Sequence, residues 1–358
     1  MHPDQIKNAA KELFEAVLCD HRPANDIINA YTRSRRYIGS KDRKALTDLV
    51  WKAVRHYARL NFLFPDLSRA EQIDFLDKAD IIPNSAPDWV KWEIPPFLQD
   101  DFARIPKERQ TLNESASIIL RAVKNRDHIR ALLLKEGIET EPTLRSPFGL
   151  ILKKRTNLSA SPVYRQGLIE IQDEGSQLVA LETGIQPNDR VLDYCAGAGG
   201  KTLIFAQMMQ QKGTITAHDV DLTRLKNLLP RAKRAGCNHM IKITSQKPTG
   251  TFSHVVADAP CSGSGTWRRF PDAKWKLSQE RFCDLLKIQA NILRESANFV
   301  EKGGKLSYMT CSLFSRENDE QIKTFLKEHP DFSLLKTKHF TPATTNTDGF
   351  FVAVMQKN

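Results

Sequence analysis

Hydrophobic positions fall in two textures along the chain. Up to about residue 80 they recur at helical spacing: Ala9, Leu13, Val17 and Leu18, then Ile27, Ile28 and Tyr31. "SKDRKALTDLVWKAVRHYARLNFLF" (40–64) continues the pattern, with Ser40 placed to cap its start. These periods predict an all-helical region over 1–80. Residues 81–98, "IIPNSAPDWVKWEIPPFL", hold four prolines. Proline removes backbone donors and disfavours helix in the residue before it, so this stretch is expected to be a linker. From 99 to 165 short helix and strand patterns alternate. "KNRDHIRALLLKEGIET" reads as a helix closed by Gly137, and "GLILKKRTNLSASPVY" as a strand with a basic turn at Lys153, Lys154 and Arg155. From 166 to 358 apolar runs alternate with helical stretches: "RVLDYC", "KTLIFAQMMQQ", "GTITAHDV", "LTRLKNLLPRAKRAG", "HVVADAP", "SQERFCDLLKIQANILRESANFV" and "KLSYMTCS". Such alternation predicts an α/β fold, a mostly parallel, doubly wound sheet with helices on both faces.

Charge changes the picture. Lys and Arg number 53 against 42 Asp and Glu, giving a net charge of +11. An excess of this size points to a polyanionic partner, most often nucleic acid. Arg33, Arg35 and Arg36 in "TRSRRYIGSKDRK" are candidate phosphate contacts; their alternative is a solvated helix end. The six cysteines are scattered, without a CxxC pair or metal-ligand spacing. Reduced thiols in a cytoplasmic protein and no metal are the expectation. No apolar run is long enough to span a bilayer, and the polar N-terminus does not read as a secretory signal, so no membrane association is expected.

The chemistry starts at "VLDYCAGAGGKT" (191–202). It ends like a triphosphate-binding loop, in Gly200-Lys201-Thr202, but Cys195 stands where that loop needs its first glycine. What remains is a strand, a small-residue loop (Cys195, Ala196, Gly197, Ala198, Gly199, Gly200, Lys201) and a helix start. That is where ligands sit in doubly wound sheets. "TITAHDVD" ends a second strand at Asp219, an acid suited to a ribose diol. Loop and acid together narrow the ligand to a nucleoside-containing cofactor, a dinucleotide or S-adenosylmethionine. "DAPCSGSGTWRRFPD" and "YMTCSLFSREND" each place a cysteine, Cys261 and Cys311, just past a strand end. Topology sends both to the cleft, against the alternative that each is a small buried hydrophobe.

With "QDEGSQLVA", "DYCAGAGGKT", "DAPCSGSGTWRRFPDAKW", "YMTCSLFSREN" and "TDGFFVAVM", the chain resembles the RNA 5-methylcytosine methyltransferases of the Sun/Nop2, or RsmB-like, family over about 172–353. Residues 1–80 resemble, more weakly, the NusB-like helical domain of some members. Residues 99–165 resemble loosely the small RNA-contacting domain, although "LRAVKN" replaces the usual Leu-Arg-x-Asn stretch. The resemblance implies a Rossmann-like class I methyltransferase domain over 166–358, with S-adenosylmethionine as donor. The implied acceptor is a cytosine in RNA, small-subunit (16S) rRNA first and tRNA second. It implies Cys311 as nucleophile on C6, Cys261 in adduct release, Asp258 on the base edge and Lys201 as an orienting group. A thiolate on C6 makes C5 nucleophilic, which a neutral pyrimidine otherwise lacks. A helix expected to start near Arg316 would favour that thiolate. Asp219 would take the ribose hydroxyls. Ser245, in "MIKITSQKP", stands where the family carries an acid near the adenine. Arg268, Arg269 and Lys274 are candidate phosphate contacts beside a flipped base; the alternative is a solvated basic face. A monomer is expected, with substrate choice resting on the N-terminal part. The rival readings are a P-loop ATPase and a non-catalytic RNA-binding assembly factor.

Overall fold

A computed structural model describes residues 1–358. The chain divides into two compact units: residues 1–115 with 266–282, and residues 116–265 with 283–358.

The first unit is helical. Helices α1 (Pro3–Cys19), α2 (Ala24–Ser34), α3 (Ser40–Arg55) and α4 (Tyr57–Leu63) turn their apolar stripes into one core. Leu13, Phe14, Val17, Ile28, Leu46, Val50, Val54 and Leu60 pack there, at the helical spacing of the sequence. The stretch expected to be a linker is instead built into this unit. It carries the short helix Asp88–Lys91, and Val90, Ile94 and Leu98 are buried. Prolines break it into short turns without keeping it out of the core. Residues 99–115 also belong here, not with the small α/β region.

Residues 266–282 follow the Cys261 loop in the chain but pack in the helical unit. The helix Pro271–Lys276 anchors them. Trp275 Nε1 donates to Val54 O at 2.7 Å, and its ring meets Tyr57 edge-on, with centroids 5.2 Å apart. Asp272 accepts from Ala24 N–H at the start of α2. Arg55 donates to the carbonyls of Asn113, Glu114 and Arg268.

The second unit holds two sheets. A small antiparallel sheet has the order β2-β3-β1-β4, with β1 at Ile119–Ala122, β2 at Thr140–Pro142, β3 at Gly149–Leu152 and β4 at Ile169–Ile171. Its last strand lies past residue 165, where the sequence reading ended this region. The helix Arg126–Lys135, closed by Gly137 at positive φ, covers the sheet and buries Ile129 and Leu133.

The large sheet contains β5 (Arg190–Asp193), β6 (Thr214–His218), β7 (Ile241–Thr244), β8 (Phe252–Asp258), β9 (Val300–Thr310), β10 (Phe332–Phe340) and β11 (Phe350–Lys357), in the order β10-β11-β9-β8-β5-β6-β7. Strands β5 to β9 are paired in parallel; β11 and β10 are antiparallel additions. The central strands are buried on both faces, as their unbroken Val, Leu and Ile runs require. Strand order reverses at β5, with β6 on one side and β8 on the other, which makes its carboxyl end the switch point of the sheet. No helix is long and apolar enough to cross a membrane.

Two measurements check the helical unit. Trp275→Ala removes a partly buried ring and its bond to Val54 O. It should cost about 3 kcal/mol, the low end for such truncations, in urea unfolding of that unit. Lys274 is 3% exposed, donates to Asn113 Oδ1 at 3.2 Å, and is lowered to about 7 by burial. Below that pH folded and unfolded chains both hold the proton, and the cost of burying the charge applies in full. Above it, up to the ordinary lysine value of about 10.4, the unfolded chain binds the extra proton, so stability rises with pH. Lys274→Met should remove that rise and be more stable than the natural chain at pH 7, with the advantage shrinking toward pH 10.

Candidate active site

The carboxyl ends of β5, β6, β8 and β9 share one edge of the large sheet, and the predicted residues collect there. β8 and β9 are in parallel register, with Ala257 beside Tyr308 and Asp258 beside Met309. Ala259 N–H donates to Met309 O at 2.9 Å and Gly265 N–H to Cys311 O at 3.0 Å, so the two loops stay paired beyond the strands. Cys261 and Cys311, fifty positions apart, consequently have their sulfurs 3.4 Å apart, and both are only partly buried. The hydrogen bond with Cys311, and then burial, push the Cys261 thiol well above the usual thiol range.

Lys201 opens the helix Gly200–Met208 after the small-residue loop and donates to Asp258 Oδ2 at 2.7 Å. Burial alone would lower the ammonium. The charge of Asp258 and its hydrogen bond more than offset that, and the pKa is raised. Cys311 also contributes to the field that holds this proton, so Lys201 stands as a cation near that sulfur.

The loop is shaped by two glycines. Gly197 and Gly199 have φ of 54° and 83°. A Cβ on Gly197 would meet Arg224 Nη2 at 2.5 Å, and one on Gly199 would meet Leu228 Cδ1 at 2.1 Å. Only glycine fits such backbone at such distances. Gly197 N–H donates to Asp219 Oδ2 at 2.8 Å, and Asp221 N–H to Asp219 Oδ1 at 2.9 Å. The acid thus braces the loop, and each oxygen keeps a further lone pair for a hydroxyl. Arg231 Nη1 donates to Ala198 O at 2.6 Å, while its Nη2 pairs with Glu170 of β4 at 2.9 Å, tying the small sheet to the loop. Burial, then the charges of Asp193, Asp258 and Asp219, push the half-buried Cys195 thiol well up.

Sequence reading gave no role to Asp193, Arg224 and Arg231. Asp193 is fully buried and accepts from Thr202 Oγ1 at 2.6 Å, with its Oδ1 unpartnered. Burial, only partly offset by that bond, raises it to about 7, with Asp258 and Asp219 adding to the rise. The available signal was an acid at the last position of the first parallel strand. For the two arginines the signal was their seven-residue separation in "LTRLKNLLPRAKRAG", which says nothing of which loop they reach.

The donor set fits a nucleoside carrying a cationic group. Asp219 keeps a lone pair on each oxygen, the glycines leave the loop backbone uncovered, and the first-turn amides of the helix Gly200–Met208 lack acceptors within the helix. Asp258 is paired with Lys201 at 2.7 Å and Asp219 more loosely with the exposed Arg224 at 3.7 Å. Ser245 is exposed just past β7. No group of three or more His, Cys, Asp or Glu is placed to hold a metal ion.

Two expectations change. Arg268 and Lys274 are buried in the helical unit, so they do not form a solvated basic face; Lys274 is held by Asn113 and lies over Trp275. Arg269 is partly exposed. The α-helix after Cys311 begins at Asp319, not near Arg316; the turn Ser315–Glu317 comes first. In the helical unit, Arg33 and Arg36 are exposed, and Arg35 lies over the Tyr31 ring at 3.6 Å.

Comparison with known proteins follows this geometry. The family described as 16S rRNA methyltransferase RsmB/F matches residues 180–356. The probable ribosomal RNA small subunit methyltransferase B of Bacillus subtilis is 36% identical over 246 residues, 62% of this chain and 55% of that protein. The ribosomal RNA small subunit methyltransferase B of Cronobacter sakazakii is 31% identical over 288 residues, 75% of this chain and 67% of its own. The chain thus spans little more than half of the first of these relatives. Among solved structures, PH0851 shares the fold at a TM-score of 0.83 and 23% identity, covering 98% of this chain and 99% of the other. NSun6 from Pyrococcus horikoshii, solved with SFG, shares it at 0.66 and 18%, covering 73% of this chain and 96% of the other. With the sulfur pair, the glycine-shaped loop and these likenesses together, the chain belongs to the RsmB/F methyltransferase family.

Proposed function

We propose that this protein transfers a methyl group from S-adenosylmethionine to C5 of a cytosine in RNA, with 16S rRNA as substrate and tRNA as the alternative. The observation that carries the reading is the 3.4 Å approach of Cys261 and Cys311 beside the Lys201–Asp258 pair. A binding module has no use for two such sulfurs at the mouth of a nucleoside loop.

The donor supplies an electrophilic methyl on a sulfonium. Loop 195–201, with Asp219 on the ribose hydroxyls, would hold it. Cys311 Sγ, as its thiolate, adds to C6 of the base. Electron density moves to C5, which would take the methyl as the methyl–sulfur bond breaks and the donor leaves as a neutral thioether. Asp258, oriented by Lys201, faces the amino and ring-nitrogen edge and stabilises the charge that develops there. The C5 proton then passes to a base such as water, its electron pair re-forms the C5=C6 bond, and the C6–S bond breaks with Cys311 leaving as thiolate. Cys261, in contact with that sulfur, serves this release stage. Exposed Arg33 and Arg36, with Arg35, offer phosphate contacts that a positively charged chain would use. Reduced thiols of this kind suit a cytoplasmic setting.

With tritiated donor, Cys311→Ala should reduce methyl transfer to RNA by at least about a thousandfold. Cys261→Ala should accumulate a covalent protein–RNA complex, seen as a shifted band after denaturing electrophoresis. Normal turnover by Cys261→Ala would overturn the division of roles. Absence of label in any RNA, with RNA binding intact, would favour the assembly-factor reading. Bisulfite mapping of RNA from cells lacking the protein separates rRNA from tRNA.

A further inference from the structure

Beneath the two cysteine loops lies a buried polar cluster that the reaction above leaves without a role. Its centre is Glu317, in the turn Ser315–Glu317, with no exposed surface. Glu317 Oε1 accepts from Ser262 N–H at 2.8 Å and from Gln289 Nε2 at 2.9 Å. Glu317 Oε2 accepts from Ser262 Oγ at 2.5 Å and from the Ser312 hydroxyl. Ser262 directly follows Cys261, and Ser312 directly follows Cys311. Gln289 Nε2 also donates to Pro260 O at 3.0 Å, so both chain neighbours of Cys261 are held.

The proton directions are determined. A carboxylate only accepts, so both serine hydroxyls donate to it. Ser264 Oγ accepts from Leu313 N–H at 2.9 Å and lies 3.1 Å from Ser312 Oγ, to which its own proton goes. The turn is fixed from behind: Tyr308 Oη donates to Glu317 O at 2.8 Å and Asn318 Nδ2 to Ser312 O at 2.9 Å. A buried carboxylate given four donors is a rigid hub, and removing its charge leaves several of those donors without an acceptor.

We propose that Glu317 is a positioning residue that sets the separation of the two sulfurs by binding the residue after each cysteine to one carboxylate. The proposal rests on the reading that both sulfurs serve one pyrimidine ring. C5 and C6 are bonded neighbours, so a displacement of either loop by about 1 Å would cost on the order of a hundredfold in rate.

The test measures sulfur proximity directly. The full chain is equilibrated in reduced and oxidised glutathione without RNA or donor, and the Cys261–Cys311 linked peptide is quantified by mass spectrometry. In this exchange the two thiols lose two electrons and two protons as one glutathione disulfide becomes two glutathione thiols. Glu317→Gln should lower the equilibrium constant for the protein disulfide by about tenfold or more, near 30 mV in potential. It should also lower kcat while leaving KM for the donor unchanged. The double variant Ser262→Ala/Ser312→Ala keeps Glu317 bonded to Ser262 N–H and Gln289. It should shift the equilibrium in the same direction by less, and it decides the matter should circular dichroism show Glu317→Gln unfolded. A natural equilibrium constant in whichever variant is folded overturns the proposal, even if methylation falls. A shifted constant in a protein whose natural form methylates no RNA upholds the positioning and sinks the proposed function instead.

Discussion

Parallel pairing of β8 with β9 is the constraint from which the site follows. Hydrogen-bonded register puts Asp258 beside Met309, and every residue a few positions further on is then committed to the same few ångströms. A slip in that pairing would carry Cys311 past the end of the Cys261 loop and turn alternate side chains to the wrong face. Burial on both faces makes such a slip expensive, because the core on each side would be exchanged for polar groups. The chemistry is therefore anchored in the apolar runs "HVVA" and "KLSYM", well away from the sulfurs themselves.

Electrostatics and glycine geometry act together on the neighbouring loop. Asp193 and Asp258 end their strands, Asp219 directly follows the neighbouring strand β6, and one lysine, Lys201, is bonded to Asp258. Asp219 also accepts from the loop backbone, so this carboxylate holds the loop in shape. Arg231 spreads this bracing to β4 through Glu170, which makes the small sheet part of the support of the loop and not only an appendage.

Much of this was legible in the residues. Alternating apolar runs announced the parallel sheet, and strand-end positions alone sent Cys261, Cys311 and Asp219 to one edge. Those inferences work because a strand end is defined locally. Contacts made by long side chains across many positions are not. Nothing in "RRFPDAKW" says that Lys274 turns to Asn113, because the preference is decided by a partner far off in the chain. The prolines of 81–98 were read as the mark of a linker, yet Val90, Ile94 and Leu98 supply enough apolar surface to fold short turns into a core. Glu317 sat in plain view in "SREND", but its value lies in two serines on different loops, which no spacing rule connects.

The chain enters the helical unit twice, once from its start to residue 115 and again over 266–282. Genetic dissection of this protein is constrained by that threading. A deletion that begins the chain at residue 116 would strip Trp275 and Lys274 of Tyr57, Val54 and Asn113, leaving an apolar, cationic strip dangling between the Cys261 loop and the helix Gln279–Ala297. The large sheet and the helical unit are thus inherited together: recombination at a single point could not exchange one for a foreign version without orphaning a piece of the other.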